Sequence, residues 1–143
     1  MLYVNIMKFY ESHFEDYVKT YETNPIQKNI DINIKSCSFD KLNNLIIYGP
    51  AGVGKYSQTL SLIKNFSLSK LKYEKKMAIS FNKNNYYFKI SDIHYEIDMS
   101  LLGCNSKLLW HEIYNQIVDI ISAKNDKNGI ILCKYFHEIH TEL

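Results

Sequence analysis

The residues with the clearest chemical potential form a glycine-rich loop that ends in a lysine. Glycines allow successive backbone N–H groups to turn inward around a polyphosphate, and the N-terminus of a following helix adds about half a positive charge. A lysine at the end of the loop supplies a mobile ammonium for the outer phosphates. The motif G-x-x-x-x-G-K, which predicts a nucleotide-binding site, is matched by Gly49, Pro50, Ala51, Gly52, Val53, Gly54 and Lys55.

The position after Lys55 departs from this motif. Serine or threonine is expected there because its hydroxyl coordinates Mg²⁺, whereas this chain has Tyr56. A phenol at that place does not reach the ion unless the helix moves. Ser57, one place later, is therefore the candidate metal contact, and Thr59 is a more distant alternative. We expect Tyr56 and Ser57 to complete the set of nucleotide-binding residues. The Mg²⁺ contact would be the hydroxyl of Ser57 or, alternatively, that of Thr59.

The acidic partners of such a loop are also replaced. In nucleotide hydrolases of this kind an aspartate at a strand end holds the magnesium shell, and a neighbouring glutamate often orients the attacking water. Lys134 and Tyr135 occupy the corresponding positions, and Glu138 lies about one helical turn further on. A lysine there would repel Mg²⁺, although it could neutralise phosphate charge directly. We expect slow or absent hydrolysis and assign no catalytic residue.

The loop requires a strand before it and a helix after it. The apolar run from Leu45 to Tyr48 has no polar alternation, which predicts a strand covered on both faces. Apolar residues return to helical spacing after the loop, which predicts a helix, at Thr59, Leu60, Ile63 and Phe66.

An amphipathic helix is predicted upstream, from Met1 to Thr23, and Asn24–Pro25 would end it. Its apolar face would contain Phe9, His13 or Phe14, Tyr17, Val18 and Tyr21. A short alternation follows, Ile30, Ile32 and Ile34, which fits an edge strand or an ordered linker. We therefore divide the chain into a helix and linker over residues 1–40 and a partial nucleotide-binding domain over residues 41–143.

The downstream pattern predicts strands that alternate with helices. Two β-like runs, 77–81 and 86–90, predict a hairpin, and a further strand is expected over 95–99. Asn105 or Ser106 would cap a helix whose apolar face contains Leu109, Ile113, Ile117 and Ile120. A second buried strand over 130–133 and a helix starting at His137 and continuing to Leu143 would complete the series. This order predicts a parallel α/β sheet.

Other chemical patterns have simpler explanations. The lysine-rich segment 64–89 fits a solvated hairpin face better than a nucleic-acid surface. Cys133, His137 and His140 lack a fourth zinc ligand, and ordinary helix histidines are the simpler interpretation. His94, Glu96 and Asp98 share one strand face, where we expect side chains at a sheet rim rather than acid–base chemistry.

Composition limits the function classes. The chain has 143 residues, 46% hydrophobic and 22% charged, which is typical of one globular domain. Its net charge is only +2, and all 17 basic residues are lysines, so arginine chemistry would have to come from a partner. Three widely spaced cysteines suit a reducing compartment. The polar N-terminus and the lack of a long apolar run predict an intracellular protein, neither secreted nor in a membrane.

Three segments, taken together, resemble a known family. They are NLIIYGPAGVGKYSQTL (44–60), HYEIDMSLLG (94–103) and IILCKYFHEIHTEL (130–143). They are similar to the small subunits of replication factor C, the AAA+ clamp loader, particularly the divergent versions of large DNA viruses. Some subunits of that family likewise carry the hydroxyl residue one place late.

The resemblance implies an AAA+-like P-loop NTPase fold with a parallel sheet flanked by helices, an incomplete core, an N-terminal helix and a β-hairpin insertion. It implies an ATP-binding subunit, with Mg²⁺ as the usual metal, acting in DNA replication with other clamp-loader subunits, a sliding clamp and primer–template DNA. The expected location is the nucleus, the cytoplasm or a viral replication compartment.

Several parts of the family pattern are missing. The N-terminal tryptophan and arginine-proline signature and the acidic pair are not found, and the sensor strand, arginine finger, lid and collar would lie beyond Leu143. We therefore expect a fragment or a degraded paralogue with weak or no hydrolysis. The alternative is a relic with an empty loop, whose exposed sheet edge and N-terminal helix dock a partner protein.

Overall fold

A computed structural model describes residues 12–23 and 38–139. The first part of the predicted N-terminal helix, including Phe9, and the alternation from Ile30 to Ile34 lie outside these residues. The described residues contain three α-helices: α1 (Phe14–Thr23), α2 (Lys55–Ile63) and α3 (Ser106–Ser122). They also contain four strands: β1 (Lys75–Phe81), β2 (Asn84–Ile90), β3 (His94–Asp98) and β4 (Ile130–Lys134).

The four strands form one mixed sheet in the order β1-β2-β3-β4. β1 and β2 are antiparallel, β2 and β3 are antiparallel, and only β3 and β4 are parallel. The α/β class is therefore confirmed, whereas the prediction of a parallel sheet is wrong. The reason is that short turns join the first three strands and force them to reverse, while α3 provides the long connection that a parallel pair requires.

The predicted hairpin is confirmed. Its strands extend further than expected, so that the connection shrinks to two residues, Asn82 and Lys83. Both have positive φ angles, 49° and 65°, as a two-residue hairpin turn of type I′ requires.

One face of the sheet packs against α3. The apolar face of this helix is buried at Leu109, Ile113 and Ile117, as its spacing predicted. These side chains share a core with Tyr95 and Ile97 of β3 and with residues of the hairpin. The predicted cap is not formed by Ser106, because this residue is the first of the helix and its buried hydroxyl has no hydrogen-bond partner among the described residues.

The opposite face is covered by α1 and α2. Phe14 and Val18 of α1 are fully or almost fully buried, and they pack in a second core with Leu60 and Ile63 of α2. Of the two alternatives for the apolar face of α1, Phe14 is correct, since His13 is exposed. The apolar face of α1 is thus covered within the chain.

Three further expectations are corrected. Residues 45–48 form no strand, and Ile46 and Tyr48 are 89% and 90% exposed. β4 has a partner on one side only within the described sheet, so its residues are half-buried rather than covered on both faces. The predicted helix from His137 is a single 3-10 turn, Phe136–Glu138, followed by extended backbone at Ile139. The remainder of that predicted helix lies outside the described residues.

Candidate functional site

The glycine loop lies immediately before α2. Gly52 and Gly54 have φ angles of 77° and 78°, in the left-handed region that favours glycine. A Cβ added at Gly52 would meet nothing within 4 Å, so the requirement for glycine there comes from the backbone conformation and not from crowding. Gly54 is the N-cap of α2, and its carbonyl accepts the Gln58 N–H at 3.0 Å. The loop therefore turns directly into the helix.

Lys55 folds back over this loop. Its ammonium donates to the carbonyl oxygen of Gly49 at 2.7 Å and also to that of Pro50. No acidic residue lies in the first turn of α2. The ammonium and the helix N-terminus therefore both place positive charge at the loop. Neutral carbonyls are weaker partners for an ammonium than phosphate oxygens, so an incoming phosphate can replace them.

The segment before the loop differs from the sequence prediction. Residues 42–50 have neither helical nor strand structure. The apolar residues Leu45 to Tyr48 are exposed, Ile46 and Tyr48 almost completely and the other two partly. A strand needs a neighbour for its backbone groups, and no described strand pairs with this segment. The loop therefore continues directly into α2, and no described strand supports it on the other side.

Tyr56 and Lys134, which replace the expected metal ligands, both contact the carboxylate of Glu96. The Tyr56 hydroxyl donates to Glu96 Oε2 at 2.6 Å, and the Lys134 ammonium lies 3.2 Å from Glu96 Oε1. Lys134 Nζ also lies 4.4 Å from the centre of the Tyr56 ring, within the range of a cation–π contact. Glu96 is 7% exposed and Lys134 28% exposed. We call these three residues the Tyr–Glu–Lys cluster.

The register of the sheet explains this cluster. Glu96 points to the face of β3 that α1 and α2 cover, whereas Tyr95 and Ile97 point toward α3. Lys134 is the last residue of β4 and is opposite Asp98 in the parallel pair. The N-terminus of α2 therefore lies near the carboxyl ends of β3 and β4, and Tyr56 reaches Glu96 from there.

The cluster keeps Tyr56 protonated. Burial is the main cause that raises the pKa of its hydroxyl, and the hydrogen bond to the Glu96 carboxylate raises the pKa further. A phenol in this state serves as a hydrogen-bond donor and not as a base or nucleophile. The arrangement is therefore suited to holding the Lys134 ammonium in place.

The polar face of β3 is not the exposed rim that the sequence suggested. His94 is completely buried, and its Nδ1 lies 2.6 Å from the Ser91 hydroxyl. Its ring packs 4.7 Å from the Phe14 ring, and its Nε2 has no hydrogen-bond partner among the described residues. Burial lowers the pKa of His94 to about 4, so the ring is neutral. This histidine belongs to the core beneath α1.

Glu96 is the site residue that sequence reasoning did not assign. The available signal was the alternation of His94, Glu96 and Asp98, which places all three on one face of the strand. The sequence could not show that α2 covers this face. Of the predicted site residues, the structure brings Tyr56 into contact with Lys134, while Ser57 has no hydrogen bond from its hydroxyl to the described part of the chain.

Tyr56 and Lys134 do not fit the magnesium ion that the resemblance implies. The hydroxyl position holds a phenol whose proton is committed to Glu96, and the acidic position holds an ammonium. Within residues 12–23 and 38–139, no group of three or more histidine, cysteine, aspartate or glutamate side chains could hold a metal.

Comparisons with known proteins add no assignment. No model of a known protein family matches the sequence. A search of curated proteins also finds no similar sequence. Among the described residues, no helix has both the length and the apolar character needed to cross a bilayer.

Proposed function

We propose that residues 49–55 bind the polyphosphate of ATP, within a P-loop type of nucleotide site. The observation that carries the proposal is the glycine loop, which turns into α2 at Gly54 and whose carbonyls accept hydrogen bonds from the Lys55 ammonium. In loops of this type, backbone N–H groups, the helix N-terminus and a lysine ammonium together favour an anion with several phosphates.

The wider role that we propose is a nucleotide-binding subunit of a clamp loader resembling replication factor C. Its partners would be other clamp-loader subunits and a sliding clamp, with primer–template DNA reached through the complex. Because Lys134 and Tyr135 stand in the acidic positions, the subunit would sense nucleotide and support assembly with little or no hydrolysis. Arginine contacts to the γ-phosphate would come from a neighbouring subunit, since this chain has none.

The Lys55→Ala variant tests the nucleotide site. We expect it to weaken ATP and ADP binding by about tenfold or more, measured by isothermal titration calorimetry. Thermal stability without nucleotide should change little, because the ammonium contacts only carbonyls of an exposed loop. The matched control is Lys107→Ala, which removes an exposed lysine from the first turn of α3, where no glycine loop precedes the helix. A folded wild-type chain that binds neither nucleotide would refute the proposal.

A second candidate function is a protein-interaction module with an empty loop. The exposed apolar residues Leu45 to Tyr48 and the single-sided pairing of β4 favour it. The N-terminal helix is a poor docking element, however, since Phe14 and Val18 are already buried against the chain's own core. Under this alternative Lys55→Ala would leave every measured property unchanged, because no nucleotide would be bound.

A further inference from the structure

In the Tyr–Glu–Lys cluster, Tyr56 and Lys134 stand at the two sequence positions where the resemblance implies Mg²⁺ contacts. Both oxygens of Glu96 are engaged, one by the Tyr56 hydroxyl and the other by the Lys134 ammonium. A divalent cation beside Glu96 would have to displace that ammonium or lie next to it, and like charges at such distances repel strongly. The cluster therefore disfavours a metal at Glu96, because the ammonium already offsets the charge of the carboxylate.

The charge of the cluster also differs from that of a metal site. A pair of carboxylates carries negative charge that a metal must offset before phosphates can approach. Glu96 and Lys134 together are neutral, and an ammonium has three donors, of which the contact with Glu96 uses one. Lys134 is 28% exposed and lies against the ring of Tyr56, the residue next to Lys55. The ammonium therefore lies beside Tyr56 in the first turn of α2, and it is also 5.8 Å from the centre of the Tyr135 ring.

We propose that the nucleotide binds as its metal-free polyanion, with the Lys134 ammonium supplying charge that Mg²⁺ would otherwise supply. Glu96 and Tyr56 act as positioning residues, because they hold this ammonium beside the loop. The proposal rests on the proposed nucleotide site at residues 49–55. It specifies that the site binds the nucleotide without Mg²⁺.

The first experiment compares ATP binding to the wild-type chain in excess MgCl₂ and in excess EDTA, by calorimetry at equal ionic strength. We expect the two dissociation constants to differ by less than about fivefold, or binding to be tighter in EDTA. An improvement of about fivefold or more with Mg²⁺ would overturn this inference and leave the proposed function intact. Failure to bind in both buffers would overturn the proposed function and the inference together.

The second experiment tests Lys134 in EDTA. We expect Lys134→Met to weaken ATP binding by about tenfold or more. Lys124→Met is the matched control, since that ammonium donates to the Asp92 carbonyl and lies 5.4 Å from the Tyr95 ring. Tyr95 packs on the α3 side of the sheet, away from the cluster, so the control should bind ATP like the wild type.

A double variant separates the loss of the ammonium from a loss of folding in Lys134→Met. Lys134→Met leaves the Glu96 carboxylate buried without its cation, which is costly. In Glu96→Gln with Lys134→Met the cluster stays neutral and Tyr56 keeps a hydrogen-bond acceptor. The double variant should fold and should show the same loss of ATP affinity in EDTA, because the ammonium is missing. Wild-type affinity in this double variant would overturn the role of Lys134.

Discussion

Acidification should destabilise the fold through His94. The ring is fully buried, packs against Phe14 and has an unpaired Nε2 in the described part of the chain, so protonation would bury a charge. The pKa falls from an ordinary 6.5 to about 4, mainly through burial, although the negative charges of Asp92 and Glu74 partly oppose this shift. Because the unfolded chain binds the proton more readily, stability falls as the pH falls.

The size of the effect follows from these two pKa values. The stabilisation is fully present above the unfolded pKa of 6.5 and is lost as the pH falls toward about 4. The complete loss amounts to about 3 kcal/mol, of which about 2 kcal/mol should be lost between pH 7 and pH 5. For a domain of this size, that is a substantial fraction of the total free energy of unfolding.

Urea unfolding at several pH values provides the assay. Between pH 7 and pH 5, the free energy of unfolding should fall by about 2 kcal/mol less in His94→Gln than in the wild type. His111→Gln is the control, because His111 is exposed on α3, and it should keep the wild-type slope. Equal slopes in His94→Gln and the wild type, or a His94 pKa above 6 by NMR, would refute the reasoning.

Two further predictions concern packing. Gly129→Ala should lower the free energy of unfolding by about 1–2 kcal/mol in urea titrations. The reason is that the added Cβ would lie 2.4 Å from Ile121 Cδ1 and 3.3 Å from Tyr95 Cε2. An unchanged urea midpoint would contradict this crowding. Ile46→Ala should change stability by less than about 0.5 kcal/mol because Ile46 is 89% exposed, whereas Ile79→Ala in the core should cost about 2–5 kcal/mol. Comparable losses in these two variants would mean that residues 45–48 pack as a strand.

The hairpin, α2 and α3 were predictable because their signals are local. The two strands lie close together in sequence, and the structure confirms their hairpin with longer strands and a shorter turn than predicted. The helical spacing of Leu109, Ile113 and Ile117 also identified the buried face of α3 correctly. In each case the residues that determine the element lie within a few positions of one another.

The run from Leu45 to Tyr48 shows why local patterns can fail. Its apolar residues satisfy the rule for a buried strand, but burial requires a neighbouring strand and a covering helix. No strand pairs with it among the described residues, and its side chains remain exposed. An apolar run therefore predicts a buried strand only where the fold also provides a neighbouring strand and a covering helix.

The sequence by itself determined the loop, its lysine and the two positions, 56 and 134, at which the metal-binding pattern is broken. Only the tertiary structure decided that those two residues share Glu96, because residues 38 and 40 positions apart meet through sheet register and helix packing. The physical reason is that backbone turns and helices depend on neighbouring residues, whereas the charge balance of a buried cluster depends on which distant side chains the fold brings within hydrogen-bond distance.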